Sequence, residues 1–150
     1  MKEEYTALGL GDVADVVALE SLCFNSAWKK EQYAALVEKG VCKLFGARRD
    51  GLLVAYIALG SIPSVPELEI YNIAVSEKVR RQGVGKKLLS LVMAAALRNR
   101  VERILLEVRE GNTPAIILYE NAGFVFSGRR KAYYTEPVED ALLYICQLSC

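Results

Sequence analysis

Histidine is absent from the 150-residue chain. That excludes a Ser-His-Asp or Cys-His nucleophilic engine and any metal site built on imidazole. The cysteines, Cys23, Cys42, Cys146 and Cys150, form no CxxC pair, and their spacing suits neither a zinc site nor a compact disulfide framework. Free thiols in a reducing compartment, and no metal, are the expectation. No run approaches the roughly 18 uninterrupted apolar residues of a membrane span. The N-terminus carries acids at Glu3 and Glu4 and lacks a sustained apolar stretch, so it does not resemble a signal peptide, and a cytoplasmic location is the default expectation. Neither sign of charge is in excess: 19 Lys and Arg against 18 Asp and Glu leave +1. That argues against a protein that coats nucleic acid. Repeats and Pro/Gly/Ser linkers are missing too, so residues 1–150 are expected to form one domain.

What is present is the material of a globular domain, 53% hydrophobic and 25% charged, with length enough for a sizeable core. Residues 3–8 predict a first strand. Asp12 is placed to cap a helix whose apolar positions are Val13, Val16, Val17, Leu19 and Cys23. A second helix is expected from Ser26 or Trp28 to Gly40. Lys43–Arg49 and Leu52–Leu59 read as strands joined by Asp50-Gly51, a strong hairpin signal. After a loop at residues 61–66, Glu67–Val75 predicts a strand and Val84–Asn99 a well-buried helix, apolar at Val84, Leu88, Leu91, Val92 and Ala95. Ile104–Arg109 is a strand, and Asn112 caps a short helix with Pro114 in its first turn and a stop at Gly123. Phe124–Lys131 and Ala141–Leu148 close the chain as strands. The order β-α-α-β-β-β-α-β-α-β-β predicts a mixed α/β architecture, antiparallel at the front with a βαβα middle.

Between the fourth strand and the third helix lies Val79-Arg80-Arg81-Gln82-Gly83-Val84-Gly85-Lys86-Lys87. Glycines at a helix N-terminus let the backbone approach a ligand closely and leave outward N–H groups unpaired. Five basic side chains within ten residues (Lys78, Arg80, Arg81, Lys86, Lys87) add to the helix dipole. The pattern suits a phosphate or pyrophosphate, a solvated basic turn being the plainer reading. A GxxxxGK[ST] loop fails because Lys87 follows Gly85-Lys86, and GxGxxG fails for want of a third glycine.

The pattern that survives is R-x-x-G-x-G after a strand ending in Asn72-Ile73-Ala74-Val75. Here the sequence resembles the GNAT (Gcn5-related N-acetyltransferase) superfamily, whose acyl-CoA loop matches Arg80-Arg81-Gln82-Gly83-Val84-Gly85. Asn112 and the stretch Leu118-Tyr119-Glu120-Asn121-Ala122-Gly123-Phe124 resemble its second conserved block. Within the superfamily the chain is most similar to the bacterial ribosomal-protein alanine N-acetyltransferases, through Tyr71–Val75, Arg81–Gly85, Leu106–Arg109, and Arg130–Tyr134 followed by Glu139-Asp140-Ala141. The likeness is strong over residues 70–135 and thin before residue 60. Two departures fall where such enzymes meet the acceptor: Ala27 precedes Trp28 where a proline is usual, and Glu69 stands where a small polar residue is common. The resemblance implies a central mixed sheet of six to seven strands with about four helices.

It also implies roles. The amides around Gln82, Gly83 and Val84 would hold the pyrophosphate of acetyl-CoA, with Arg80, Arg81, Gly85 and Lys86 completing the loop. Backbone groups of Ile73, Ala74 and Val75 would pair with the pantetheine arm and polarise the thioester, an oxyanion-hole logic, and Asn112 would contact the cofactor besides capping its helix. Glu107 shares a strand face with Leu105 and Arg109, and a carboxylate in the middle of an apolar strand is costly unless paired or functional. A salt bridge and a general base are both open on the residues alone; the resemblance favours the base. A terminal α-amine (pKa about 8) costs under roughly 1 kcal/mol to neutralise near neutral pH, against nearer 4 for lysine. Glu107 is therefore expected to work through water, with a raised pKa, or both. Tyr119 reads as a packing tyrosine by itself and as the acid for the thiolate by resemblance. Trp28, Tyr133 and Tyr134 would wall the acceptor groove, with packing as the alternative. Arg129-Arg130-Lys131 reads as a solvated strand end, or as a dock for acidic substrates. The expected function is transfer of acetyl from acetyl-CoA to a protein N-terminus, such as a small-subunit ribosomal protein starting with Ala, in a ternary complex without nucleic acid or membrane. The alternatives are the same chemistry on a small amine, amino acid or lysine, and a non-catalytic acyl-CoA sensor.

Overall fold

The longest apolar stretch of the sequence, beginning at Leu52, becomes the middle of a sheet covered on both faces, which is why it lacks polar alternation. A computed structural model describes residues 3–24, 29–61 and 64–148. In chain order its elements are β1 (Glu4–Leu8), α1 (Val13–Cys23), α2 (Lys30–Glu38), β2 (Cys42–Arg49), β3 (Leu52–Ser61), β4 (Glu67–Val75), α3 (Val84–Arg98), β5 (Arg103–Arg109), α4 (Thr113–Asn121), β6 (Val125–Thr135) and β7 (Val138–Gln147). Short 3-10 turns at Leu10–Asp12 and Glu77–Val79 precede α1 and α3. The seven strands form one sheet in the order β1-β2-β3-β4-β5-β7-β6. All neighbours are antiparallel except β4 and β5.

The helices α1 and α2 cover one face, where Val13, Val16, Leu19 and Tyr33 meet Leu44, Tyr56 and Ala58. On the other face Val84, Leu88, Leu89 and Val92 of α3, with Tyr119 of α4, pack on Ile57, Ile70, Ile104 and Leu106. Within β5, Ile104, Leu106 and Val108 are buried among these helices, which leaves Leu105, Glu107 and Arg109 on the α1/α2 side. Among the described residues no helix is long and apolar enough to cross a membrane.

The parallel ladder that holds the two halves of the sheet together is short. It joins Glu67 to Arg103, Leu68 to Ile104, Glu69 to Leu105 and Ile70 to Leu106, and then stops. Beyond it β4 follows β3 while β5 follows β7, whose pairing with β5 continues to Arg109 and Ala141. At the same level β4 gains a residue against β3: Ala58 pairs with Asn72 and Leu59 with Ile70, which leaves Tyr71 bulged out. Gly60 makes room for it, since a Cβ there would lie 2.0 Å from the Tyr71 hydroxyl oxygen.

Several boundaries differ from the sequence reading. Asp12 occupies the position before α1, but its carboxylate accepts from Gly9 N–H (2.9 Å) and from Arg48 (2.7 Å) instead of a helix N–H. It closes the preceding 3-10 turn and ties it to β2. The described part of α2 starts at Lys30, and Ser26 and Trp28 lie outside the described residues. In α3 the buried stripe runs Val84, Leu88, Leu89, Val92 and Ala96, while Leu91 faces solvent. A helix on one side of a sheet has only one face to bury, so its remaining apolar residues stay outside. The final hairpin is longer than predicted: β6 runs on to Thr135 and β7 starts at Val138 instead of Ala141, so Glu139 and Asp140 lie within it, where their side chains serve as hydrogen-bond partners. Asp50 and Gly51 both take positive φ, 53° and 81°, as their hairpin turn demands.

One charged residue is fully buried among the described residues. Glu20, 1% exposed on the inner face of α1, accepts from the hydroxyls of Tyr33 and Tyr56 and from Asn72 Nδ2 (3.0 Å). Burial of an ion costs several kcal/mol unless such bonds compensate it. Burial, then the bond to Glu20, pushes the Tyr33 hydroxyl well above its ordinary pKa, and burial does the same to Tyr56. Both therefore remain donors.

Candidate active site

Where β4 and β5 part, the molecule has a cleft of about 770 Å³ that opens between Ile73–Val75 on one side and Asn112, Pro114 and Ala115 on the other. Its mouth is the glycine turn. Ser76 Oγ caps the 3-10 turn by accepting from Lys78 N–H (3.3 Å), and the chain then passes Arg81 at φ 64° and Gly83 at φ 78° into α3. An Ala at Gly83 would be strained by its left-handed backbone although the space around it is open. Lys87 N–H bonds back to Gly83, so the N–H groups of Val84, Gly85 and Lys86 fall in the first turn, where a helix has no internal acceptors for them. Gly85 lies against β4, and a Cβ there would come within 3.1 Å of Val75 Cγ2.

The basic residues of the turn divide. Arg80, Arg81 and Lys86 line the cleft. Arg80 is held across it, donating from Nε to the Val75 carbonyl (3.2 Å) and approaching Cys23 Sγ at 3.9 Å. The Gln82 side chain turns to the sheet edge, where its Oε1 accepts from Arg49 Nη2 (2.9 Å) and its Nε2 donates to the Lys78 carbonyl. Arg49 also binds Glu3 at 2.7 Å, so a single guanidinium braces the turn against the start of the chain. Lys87 lies over the Tyr5 ring, 4.9 Å from its centroid.

A second pocket, about 360 Å³, continues from the parting onto the α1/α2 side and contains Tyr71, Asn72, Glu107, Asn112, Tyr119 and Tyr134. It brings Glu107 and Tyr119 into one cavity although they come from different sheet faces, because the missing β4–β5 ladder leaves a way through. Glu107 Oε2 is buried and accepts no hydrogen bond among the described residues; Arg130 Nε stands 3.7 Å away, at ion-pair but not hydrogen-bond distance. Glu69 lies one register step deeper on the same face, and burial, with the Glu107 charge second, raises its carboxyl above the usual range. Tyr119 is 4% exposed, and burial holds its hydroxyl well above the ordinary tyrosine value. Burial and the Glu107 carboxylate push Tyr134 up to about 12 against the pull of Arg109.

The β6–β7 hairpin forms the far wall. Its acids hold it in place, and sequence reasoning gave them no role. Glu139 accepts from Arg109 Nη1 (3.1 Å) and from Gly111 N–H, which fixes the turn that delivers Asn112. Asp140 accepts from Ala132 N–H (2.8 Å) and Arg129 (2.7 Å), and so pins the irregular stretch of β6 before the two tyrosines. Tyr134 turns into the pocket under Arg109, whose guanidinium lies 4.2 Å from its ring centroid. Tyr133 is half exposed and stacks edge-on to Tyr134. Asn112 caps α4 through Oδ1, which accepts from Ala115 N–H (3.3 Å). The signal for Glu139 and Asp140 was the Glu139-Asp140-Ala141 stretch of the resemblance. Trp28, expected on the same wall, lies outside the described residues.

A mixed sheet whose parallel pair parts beside a glycine turn, with the intervening helix pointing its N-terminus into the gap, is the fold of an acyl-CoA-dependent acetyltransferase. The chain belongs to the acetyltransferase (GNAT) family, whose profile matches residues 13–124. It is 38% identical over 147 residues to an Escherichia coli strain K12 protein named [ribosomal protein bS18]-alanine N-acetyltransferase, spanning 96% of this chain and 97% of that one. Over 150 residues it is 30% identical to an N-alpha-acetyltransferase of Sulfurisphaera tokodaii, spanning 93% and 89% of the two chains. The crystal structure of the ribosomal-protein-S18-alanine N-acetyltransferase from Escherichia coli superposes with a TM-score of 0.91 at 26% identity, covering 99% of this chain and 96% of that one. Acetyl-CoA is the co-substrate of this family. The residues present suit it: first-turn amides and cations at the mouth for the diphosphate, and a mainly apolar cleft for the arm.

Gly85→Val puts methyl groups between Val75 and Leu118 at the floor of that cleft. The KM for acetyl-CoA is expected to rise by about tenfold or more, because backbone approach to the ligand depends on the missing side chain. Steady-state kinetics with varied acetyl-CoA check this, and an unchanged KM would place the cofactor elsewhere.

Proposed function

We propose that this protein acetylates the α-amine at the N-terminus of a protein, an alanine-starting ribosomal protein being the acceptor class, by direct transfer from acetyl-CoA. The reading is carried by one observation: a carboxylate and a tyrosine, Glu107 and Tyr119, share a pocket at the inner end of the cofactor cleft. It is supported by the two relatives named as N-terminal acetyltransferases over most of their length. On this reading residues 1–150 act as one catalytic domain, in the cytoplasm, where Cys23, Cys42 and Cys146 stay as thiols.

Roles follow from position. The main-chain amides before Lys87, with Arg80, Arg81 and Lys86, neutralise the diphosphate; Gln82 supports the turn through its backbone and through Arg49. Main-chain groups of Ile73, Ala74 and Val75 receive the pantetheine arm, as a strand edge receives an extended partner. Asn112 fixes the opposite lip. The acceptor lies against Tyr133 and Tyr134, with its amine toward Glu107. Glu107 takes the proton as the amine nitrogen attacks the thioester carbon. The carbon–sulfur bond then breaks, and Tyr119 protonates the departing sulfur. Tyr119 is a weaker acid than free tyrosine because it is buried. Proton transfer from its hydroxyl to the departing thiolate moves the negative charge without adding to it.

Free-thiol release from acetyl-CoA is expected with an Ala-starting peptide and not with the same peptide blocked at its N-terminus or with a polyamine. Acetylation of the blocked peptide would show a side-chain amine to be the acceptor. Glu107→Gln is expected to lower kcat about 10²-fold, at the low end for loss of a general base, with CoA affinity retained. An unchanged kcat near pH 7 would remove Glu107 from the reaction. Since the raised pKa keeps Tyr119 protonated beyond pH 10, the ratio of wild-type to Tyr119→Phe rates should stay constant from pH 7 to pH 10. A ratio that shrinks above about pH 9 would mean the hydroxyl ionises with an ordinary tyrosine pKa.

A further inference from the structure

We propose that Glu20 is a positioning residue for acetyl transfer, acting through Asn72 on the part of β4 that leaves β5. The two residues lie on different elements and are joined by one hydrogen bond, from Asn72 Nδ2 to Glu20 Oε1 at 3.0 Å. That bond decides which way the Asn72 carboxamide faces. With Nδ2 turned to the carboxylate, Oδ1 is left to accept from the N–H of Ile73 (3.1 Å). Asn72 Nδ2 also reaches the Tyr56 hydroxyl at 3.3 Å, so the amide is gripped from α1 and β3 together.

The grip falls where the strand changes course. Ile70 is the last residue of β4 paired with β5, Tyr71 is bulged out of the ladder with β3, and Ala58 pairs with Asn72. A bulge next to an unpaired edge has few backbone bonds to hold it. Here the side chain of Asn72 replaces one of them, and Glu20 holds that side chain. Tyr71, Asn72 and Ile73 all line the pocket that contains Glu107 and Tyr119. A turned Asn72 amide would aim its Nδ2 at the Ile73 N–H, donor against donor, and the strand would shift relative to Glu107. Glu20 is 1% exposed, so it touches neither acetyl-CoA nor acceptor. Its carboxylate is suited to the task because it offers only acceptors: an amide or hydroxyl in its place would leave the direction of Asn72 undetermined.

The inference rests on the strand parting being the place of transfer. It is tested with the full chain, acetyl-CoA and an Ala-starting peptide. Glu20→Gln is expected to lower kcat by tenfold to on the order of a hundredfold, the scale of a misplaced reacting group. KM for acetyl-CoA should stay within about twofold. Asn72→Asp, which sets two carboxylates against each other, should lower kcat as well. Combining Glu20→Gln with Asn72→Asp restores one donor opposite one acceptor and keeps an acceptor for Ile73 N–H, so kcat should recover to within about threefold of wild type. Tyr33→Phe removes a donor from the same carboxylate without touching Asn72. It should lower Tm and leave kcat within about twofold. The proposal is overturned if folded Glu20→Gln keeps its kcat, if the double substitution recovers nothing, or if Tyr33→Phe lowers kcat as much as Glu20→Gln does. Should Glu107→Gln also keep its kcat, the reading of the transfer site fails as well; should it lose kcat while Glu20→Gln does not, only the role of Glu20 falls.

Discussion

The site exists because four residue pairs of parallel ladder end at Ile70 and Leu106. Backbone donors and acceptors cannot be left unpaired in a dry interior, so a gap in a central sheet must be met by side chains, solvent or a ligand. This protein uses all the local means it has on one lip. Ile73 N–H is met by Asn72, and the Val75 carbonyl by Arg80 and more loosely by Cys23. The other lip is held by Glu139 on Gly111 N–H and by the helix cap at Asn112. What remains open along the gap is a strand edge facing a cleft, and its chemistry is that of a template for an extended amide-bearing chain.

The opening also brings residues from opposite faces of the sheet into one pocket. Tyr119 belongs to the helix layer of α3 and α4, and Glu107 to the layer of α1 and α2. In an intact sheet the backbone would separate them. The low-dielectric surroundings that raise Tyr119, Tyr134 and Glu69 come from the same packing. A single structural defect therefore supplies the passage, the unpaired edge and the pocket.

Much of this was legible in the sequence because it depended on local chemistry. The limits of β4, the glycine turn, the Asn112 cap and the Asp50-Gly51 hairpin each follow from residue types and spacing that act within a few positions. The alternation Ile104-Leu106-Val108 against Leu105-Glu107-Arg109 fixed which face carries the carboxylate. What escaped was set by distant partners. Asp12 was assigned to the helix it precedes, but Arg48, far along the chain, claims it. Glu20 falls within the buried face of α1, and nothing nearby in the sequence announces two tyrosines and an asparagine from three other elements. Glu139 and Asp140 fell outside the predicted last strand because their partners, Gly111 and Ala132, become visible only when the hairpin is closed.

The outermost strand, β6, has eleven residues and one unpaired side, a length at which an edge can recruit a strand from another molecule. Arg129, Arg130 and Lys131 follow one another along it, and the pairing with β7 breaks between Arg130 and Tyr134. Consecutive cations repel a copy of themselves, and a kinked edge offers no straight row of amides to match. The same irregularity that turns Tyr134 inward thus makes this border a poor seed for sheet-to-sheet aggregation, and the wall of a pocket and the guarding of an edge become properties of one short stretch of chain.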